Sequence, residues 1–131
     1  MQVTNAEWQV MKVAWTKETM TSKEVIDSLQ EKFEWTASTI KALLSRLVNK
    51  DCLATTKEGN KYYYSPLLSE KESIHQTTQE VSDKTCPMQM SNVVNELLLK
   101  NDFTDNDLDK IEEVLNEKRQ YTVNHVKCNC V

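Results

Sequence analysis

Four cysteines, at positions 52, 86, 128 and 130, are the side chains with the most chemistry to offer, and two of them form the pair Cys128-x-Cys130. Thiolates are soft ligands suited to Zn(2+) and Cu(+), and a flexible tail can wrap a metal ion. Two copies of the chain would supply Cys128 and Cys130 twice, completing a tetrahedral four-sulfur zinc site, while His125 offers an alternative third ligand within one chain. The competing reading is an exposed, inert tail. Cys52, beside an expected strand, and Cys86, directly before Pro87, read as buried or incidental thiols, and His75 as a residue on an exposed helix face. There is no C-x-x-C, no nucleophile elbow and no local Cys/His signature, so neither a thiol oxidoreductase nor a hydrolase is expected.

A second chemistry lies between Thr36 and Lys50, where three cations (Lys41, Arg46 and Lys50) occur without an acid. Ile40, Leu43, Leu44, Leu47 and Val48 follow the full helical template i, i+3, i+4, i+7, i+8. With that stripe turned inward, Ala37, Ser38, Lys41, Ala42, Ser45, Arg46 and Asn49 project outward, with Thr36 opening the helix and Thr39 at the edge of the stripe. Small and hydroxylic side chains let a helix approach a major groove closely, Ser and Thr bond to phosphates or base edges, and cations neutralise phosphates. The candidate DNA-contacting residues are Thr36, Ser38, Thr39, Lys41, Ala42, Ser45 and Arg46, joined by Lys61, and by Lys57, on a following hairpin. A plain solvated face is the alternative for the cations alone.

Both sets of residues need elements to position them. Thr4-x-x-Glu7 and Thr21-x-x-Glu24 are capping boxes, each followed by an apolar stripe: Trp8, Met11 and Trp15, then Val25, Ile26, Leu29 and Phe33. Leu53–Lys57 and Lys61–Ser65, rich in threonine and tyrosine, flank Glu58-Gly59-Asn60 and predict a hairpin, with Tyr62 and Tyr64 packed on the helices and Tyr63 outward. Three helices and a hairpin in residues 1–66 are the order of a winged helix-turn-helix. Further on, Ser69-x-x-Glu72 caps a thinly apolar helix that Cys86-Pro87 ends. Met90, Val93, Val94, Leu97 and Leu98 form a strong stripe, and Thr104 caps a last helix bearing Leu108, Ile111, Val114 and Leu115. So short a helical region buries little of its own apolar surface. The expected fold is therefore mainly α: a winged-helix DNA-binding domain (1–66), a helical dimerisation domain (67–120) and a metal-binding tail (121–131).

Composition narrows the function further. The 131 residues contain a single glycine, Gly59, where average usage of about 7% would give roughly nine. A P-loop and a dinucleotide fingerprint are thus excluded, and two histidines fifty positions apart exclude an H-E-x-x-H zinc protease helix. Apolar runs never exceed three residues, and Met1-Gln2-Val3-Thr4 lacks the features of a secretory signal, so the chain reads as cytoplasmic with no membrane partner. In a reducing compartment the cysteines are expected to be ligands, redox groups or buried thiols rather than disulfides. The net charge of −4 argues against nucleic acid until the chain is divided: residues 1–66 carry nine cations and eight acids, residues 67–131 seven and twelve.

Thr4-x-x-Glu7-x-x-x-Met11-x-x-x-Trp15, then Trp35-x-x-x-Thr39-Ile40-x-x-Leu43-Leu44-x-Arg46-Leu47-x-x-Lys50, then Tyr62-x-Tyr64-x-Pro66, resemble the penicillinase-repressor family of winged-helix regulators. Within it, the ending Cys128-Asn129-Cys130 looks like that of the CopY-type copper-responsive repressors. The resemblance implies a homodimer held by C-terminal helices on an inverted-repeat operator, loaded with Zn(2+) and released when Cu(+) displaces it. Copper-export genes would then be expressed. It also implies double-stranded operator DNA, a second copy of the chain and a copper chaperone as partners. Two departures stand beside it. CopY-type tails typically carry two C-x-C pairs four residues apart, and this sequence carries one. In the β-lactam-responsive branch a protease cuts an Asn–Phe bond, whereas Asn101 here is followed by Asp102, with Phe103 one place further on. The remaining alternatives are that β-lactam-type response and a winged helix used only for protein contacts.

Overall fold

A computed structural model describes residues 2–130. The chain divides into two compact units between His75 and Gln76.

In the first unit, α1 (Asn5–Lys17), α2 (Ser22–Lys32) and α3 (Ala37–Asn49) begin where the threonines place them. Thr4 and Thr21 each accept a hydrogen bond from the backbone N–H three residues on, and the Glu7 and Glu24 carboxylates each accept one from the N–H of the cap, so both expected capping boxes form. Thr36 caps α3 by accepting from the Thr39 N–H. The hairpin strands β2 (Leu53–Glu58) and β3 (Lys61–Pro66) pair in antiparallel register from Leu53↔Pro66 to Glu58↔Lys61. The two-residue loop Gly59-Asn60 turns with Gly59 at φ 64°, a left-handed conformation that favours glycine.

Sequence periodicity did not anticipate β1 (Met20–Thr21). It pairs with β3 as Met20↔Tyr64 and Thr21↔Tyr63, making a three-stranded sheet in the order β1-β3-β2. Two residues are too few to show a period, and Thr21 is also the cap of α2. This strand corrects the tyrosine assignment. Tyr63 lies opposite Thr21 and is half-buried, and Tyr64 packs on the core. Tyr62 lies past the end of β1 and is exposed, with the Lys57 ammonium 5.6 Å from its ring centre.

Among the described residues, the buried apolar ones all lie in this unit: Met11, Ala14, Met20, Val25, Leu29, Ile40, Leu43, Leu44, Leu47 and Leu53 are among them, closed by Leu68. The Trp15 indole N–H donates to the Leu68 carbonyl at 2.9 Å, tying the chain beyond the wing back to α1. One charged pair joins this interior. Glu7 is fully buried, and Lys50 Nζ reaches its Oε1 at 2.6 Å and the Gln2 carbonyl at 3.0 Å. Burial pushes the Glu7 carboxyl up, but the Lys50 ammonium and the Thr4 N–H and hydroxyl outweigh it and hold the group below the usual carboxylate range. Glu7 Oε2 is buried without a hydrogen bond.

The helix α4 (Glu70–Lys84) crosses the division between the units. It starts where expected, with the Ser69 hydroxyl accepting from the Glu72 N–H. In the second unit, Pro87 opens a 3-10 turn (Pro87–Gln89) that leads into α5 (Met90–Lys100), and Thr104 with Asp107 forms a capping box for α6 (Asp105–Lys118). None of the described residues from 76 onward is fully buried. No helix among the described residues is long and apolar enough to cross a membrane.

Candidate nucleic-acid interface and thiol cluster

The α3 stripe of Ile40, Leu43, Leu44 and Leu47 is buried, which fixes the rotation of the helix. Thr36, Ser38, Thr39, Lys41, Ala42, Ser45, Arg46 and Asn49 are consequently all exposed, and Ala37 half-buried. The Thr36 and Thr39 hydroxyls lie 3.0 Å apart, so the start of α3 presents two mutually ordered hydroxyls. Lys41, Arg46 and Lys61 make no ion pair among the described residues, and their charge is free for an anionic partner. Lys50, counted among the α3 cations in the sequence, is instead committed to Glu7. Thirteen residues give α3 a length of about 20 Å, several base-pair steps of duplex. Lys61 is exposed on the wing and, with Tyr62 and Asn60, lines a groove whose other wall is Thr21, Ser22 and Lys23. Lys23 is a further cation at this groove, and no local sequence pattern marks it. Its nearness to the wing depends on β1 bringing the start of α2 beside β3.

The second candidate site lies wholly within the second unit. The sulfurs of Cys86, Cys128 and Cys130 all lie within 4.8 Å of one another, with Cys86 Sγ 3.5 Å from Cys128 Sγ. The Cys130 N–H donates to Cys128 Sγ at 3.4 Å. The Cys130 thiol and N–H, and then the Cys86 thiol, hold Cys128 below the ordinary thiol value. Cys130, which donates to that sulfur, is pushed up to about 12. The expected pair therefore has a third thiol beside it: Cys86, which reads from sequence as incidental, lies close to both Cys128 and Cys130. His125 is not part of this group. A separation of 42 residues leaves no spacing motif for Cys86, although Pro87, by ending the helix, is what fixes its position. Cys52 is buried in the first unit, its thiol donating to the Lys50 carbonyl at 3.7 Å, and burial pushes that thiol up.

Three helices, a three-stranded sheet and a wing projecting beside an exposed α3 define a winged helix-turn-helix of the kind used by transcriptional repressors. The chain belongs to the penicillinase repressor family, which it matches over residues 3–117. It is 32% identical to an uncharacterised 16.5 kDa protein of Latilactobacillus sakei, over 99% of this chain and 89% of that protein. It is 26% identical to the penicillinase repressor of Bacillus licheniformis, over 90% of this chain and 92% of the relative. The structure is similar to the Bacillus licheniformis BlaI monomeric form in complex with the blaP half-operator, with TM-score 0.50 and 36% identity, covering 55% of this chain and 88% of that one. This is a family of transcriptional repressors, not of enzymes.

Proposed function

We propose that this protein is a copper-responsive transcriptional repressor that binds an inverted-repeat operator as a zinc-loaded homodimer and is released when Cu(+) displaces zinc. The observation that carries the reading is the pairing of an exposed, acid-free α3 with a group of close-set thiols that includes Cys128 and Cys130. The half-operator complex of BlaI, a relative with the same winged domain, supports placing α3 in the major groove. Ser38 and Thr39, at the start of α3, would meet base edges, while Lys41, Arg46 and Lys61 would meet phosphates. Val94 and Leu97 on α5, and Leu108, Val114 and Leu115 on α6, are exposed in a single chain and would be covered by the same helices of a second copy. Two-fold symmetry then calls for half-site centres about one helical turn, or a multiple of it, apart.

Cys128 and Cys130 would hold the metal. For metal exchange to release DNA, zinc and Cu(+) must favour different states of the dimer, since a ligand shifts a conformational equilibrium only by its differential affinity. The test is operator binding by the full chain with zinc and with Cu(+), at several salt concentrations. Arg46→Ala should weaken binding and reduce the salt slope by about 1. Ser38→Ala or Thr39→Ala should alter base preference instead. If the protein stays folded and neither region affects binding, the interface is misassigned. If zinc and Cu(+) give the same operator affinity, the metal response is wrong.

A further inference from the structure

We infer that Cys86 completes, with Cys128 and Cys130 of the same chain, a three-sulfur site that takes one Cu(+) ion per chain. The inference rests on the copper-responsive reading above and goes past it in naming a ligand outside the C-x-C pair and a site that needs no second protomer. The geometry is that of a site rather than of neighbouring thiols. Three sulfurs each about 2.3 Å from one metal, the usual metal–thiolate distance, stand about 4 Å apart in a trigonal plane. Here Cys86 Sγ and Cys128 Sγ are 3.5 Å apart and all three sulfurs lie within 4.8 Å of one another, so a metal ion enters with only small side-chain adjustments. Cys86 is half-buried and the other two are exposed, which leaves the centre open to entry. The Cys130 N–H on Cys128 Sγ supplies a hydrogen bond to a ligand sulfur, as the surroundings of metal-bound ligands commonly do.

Ligand type selects the ion. The group contains no carboxylate and no imidazole, so it favours soft metals over magnesium, calcium or manganese. Zinc in a closed structural site asks for four ligands, and three sulfurs leave one position for water or for a donor from another chain. Cu(+) is satisfied by three thiolates. The two ions therefore make different demands of one ligand set: zinc leaves a position through which two tails can be joined, and Cu(+) closes the set within one chain. What Cu(+) closes is also informative. Cys86 stands immediately before the turn that leads into α5, and Cys128 lies beyond α6, so a metal held by both ends a loop that contains both exposed apolar stripes. Fixing the ends of so long a loop restricts the segment between them, which couples copper loading to the helices proposed to form the dimer.

The test uses the full chain, fully reduced, titrated anaerobically with Cu(+) against a competing chelator. Loaded and unloaded samples are then alkylated with N-ethylmaleimide and mapped by mass. The expected result is one Cu(+) per chain, with Cys86, Cys128 and Cys130 all protected on loading and three sulfur neighbours by X-ray absorption. Cys86→Ser should weaken Cu(+) binding at least 100-fold and leave two sulfurs, while Cys52→Ser should leave binding unchanged. An equimolar mixture of Cys86→Ser chains with Cys128→Ser/Cys130→Ser chains should not recover the tight site. Alkylation of Cys86 in the copper-loaded natural chain would overturn the inference, with no need for any variant to fold. So would an unchanged affinity in Cys86→Ser, or recovery in the mixture. Three-thiol binding without any effect of copper on operator affinity would uphold this site and overturn the copper-responsive function. Copper-dependent release with Cys86 unprotected would do the reverse.

Discussion

The two units of this chain use the same starting devices and reach different ends. Threonine capping boxes open α1 and α2 in the first unit and α6 in the second, and every one of these helices carries an apolar stripe. In the first unit the stripes converge with a sheet on a shared interior, from Val3 to Leu68. In the second, none of the described residues is fully buried, and Val94, Leu97, Leu108, Val114 and Leu115 face solvent. A capping box decides where a helix starts, and a stripe decides which face seeks cover. Neither decides whether the cover comes from the same chain. The sheet makes part of the difference: β1 and β3 close one side of the first interior, and the second unit contains no strand among its described residues.

The largest expected effect opposes one leucine from each unit. Leu44, 1% exposed, fills the first interior, and Leu44→Ala should cost about 4 kcal/mol through lost burial and the cavity left behind. That loss, followed by tryptophan fluorescence in denaturant, should be independent of protein concentration. Leu97 is 54% exposed, and Leu97→Ala should change the stability of the single chain by no more than about 0.5 kcal/mol. Its effect should appear in sedimentation as a dimer that dissociates at higher concentration. If Leu97→Ala destabilises the chain as much at high dilution as Leu44→Ala does, the contrast between the units is wrong.

The second test concerns charge. Glu7 is completely buried and Lys50 only 22% exposed, so Lys50→Met strands a carboxylate inside the first unit and should cost about 3 kcal/mol at neutral pH. The pH dependence gives the sign. With Lys50 present the folded Glu7 titrates below its ordinary 4.5, so its contribution is complete above that value and is lost as the pH falls through the lower folded value. Without Lys50, burial dominates and the folded carboxyl titrates higher, so acid relieves the penalty. The stability gap between the natural chain and Lys50→Met should narrow from pH 7 to below 4.5. A gap that widens on acidification would mean that Lys50 does not stabilise the ionised carboxylate.

Much of this architecture is legible from sequence because it is local. The threonine caps, the α3 stripe, the glycine of the wing and the proline after Cys86 each act within a few residues, and each stands where it was expected. The outward face of α3 follows from its inward face, so the exposure of the residues on it is legible as well. What escaped is non-local. The Glu7–Lys50 pair joins residues 43 apart, β1 is recognisable only beside β3, and Cys86 meets Cys128 across 42 residues. The exposure of Tyr62 is non-local as well: strand alternation gives the face a side chain occupies, but not where the neighbouring strand β1 ends.

The smallest effect probes how tightly the first unit is held. Glu18 ends α1 at φ 65°, ψ −48°, and the Thr19 N–H donates to the Lys17 carbonyl at 2.7 Å across it, forming a γ-turn of the strained hand. A non-glycine residue persists in such a conformation only where its surroundings over-determine it, at a cost of about 1–3 kcal/mol. Here α1 on one side and β1 on the other fix both flanks. The second unit has no positive-φ residue among those described, as befits elements with little around them to hold one. Glu18→Gly removes the steric strain but gives the unfolded chain more freedom, which costs about 0.5–1 kcal/mol. The net result should be a stabilisation of about 1 kcal/mol in denaturant unfolding. Glu18→Ala keeps the Cβ and should give no gain. Equal gains from the two substitutions would trace the effect to the glutamate charge, and the turn would then carry no strain for the first unit to hold.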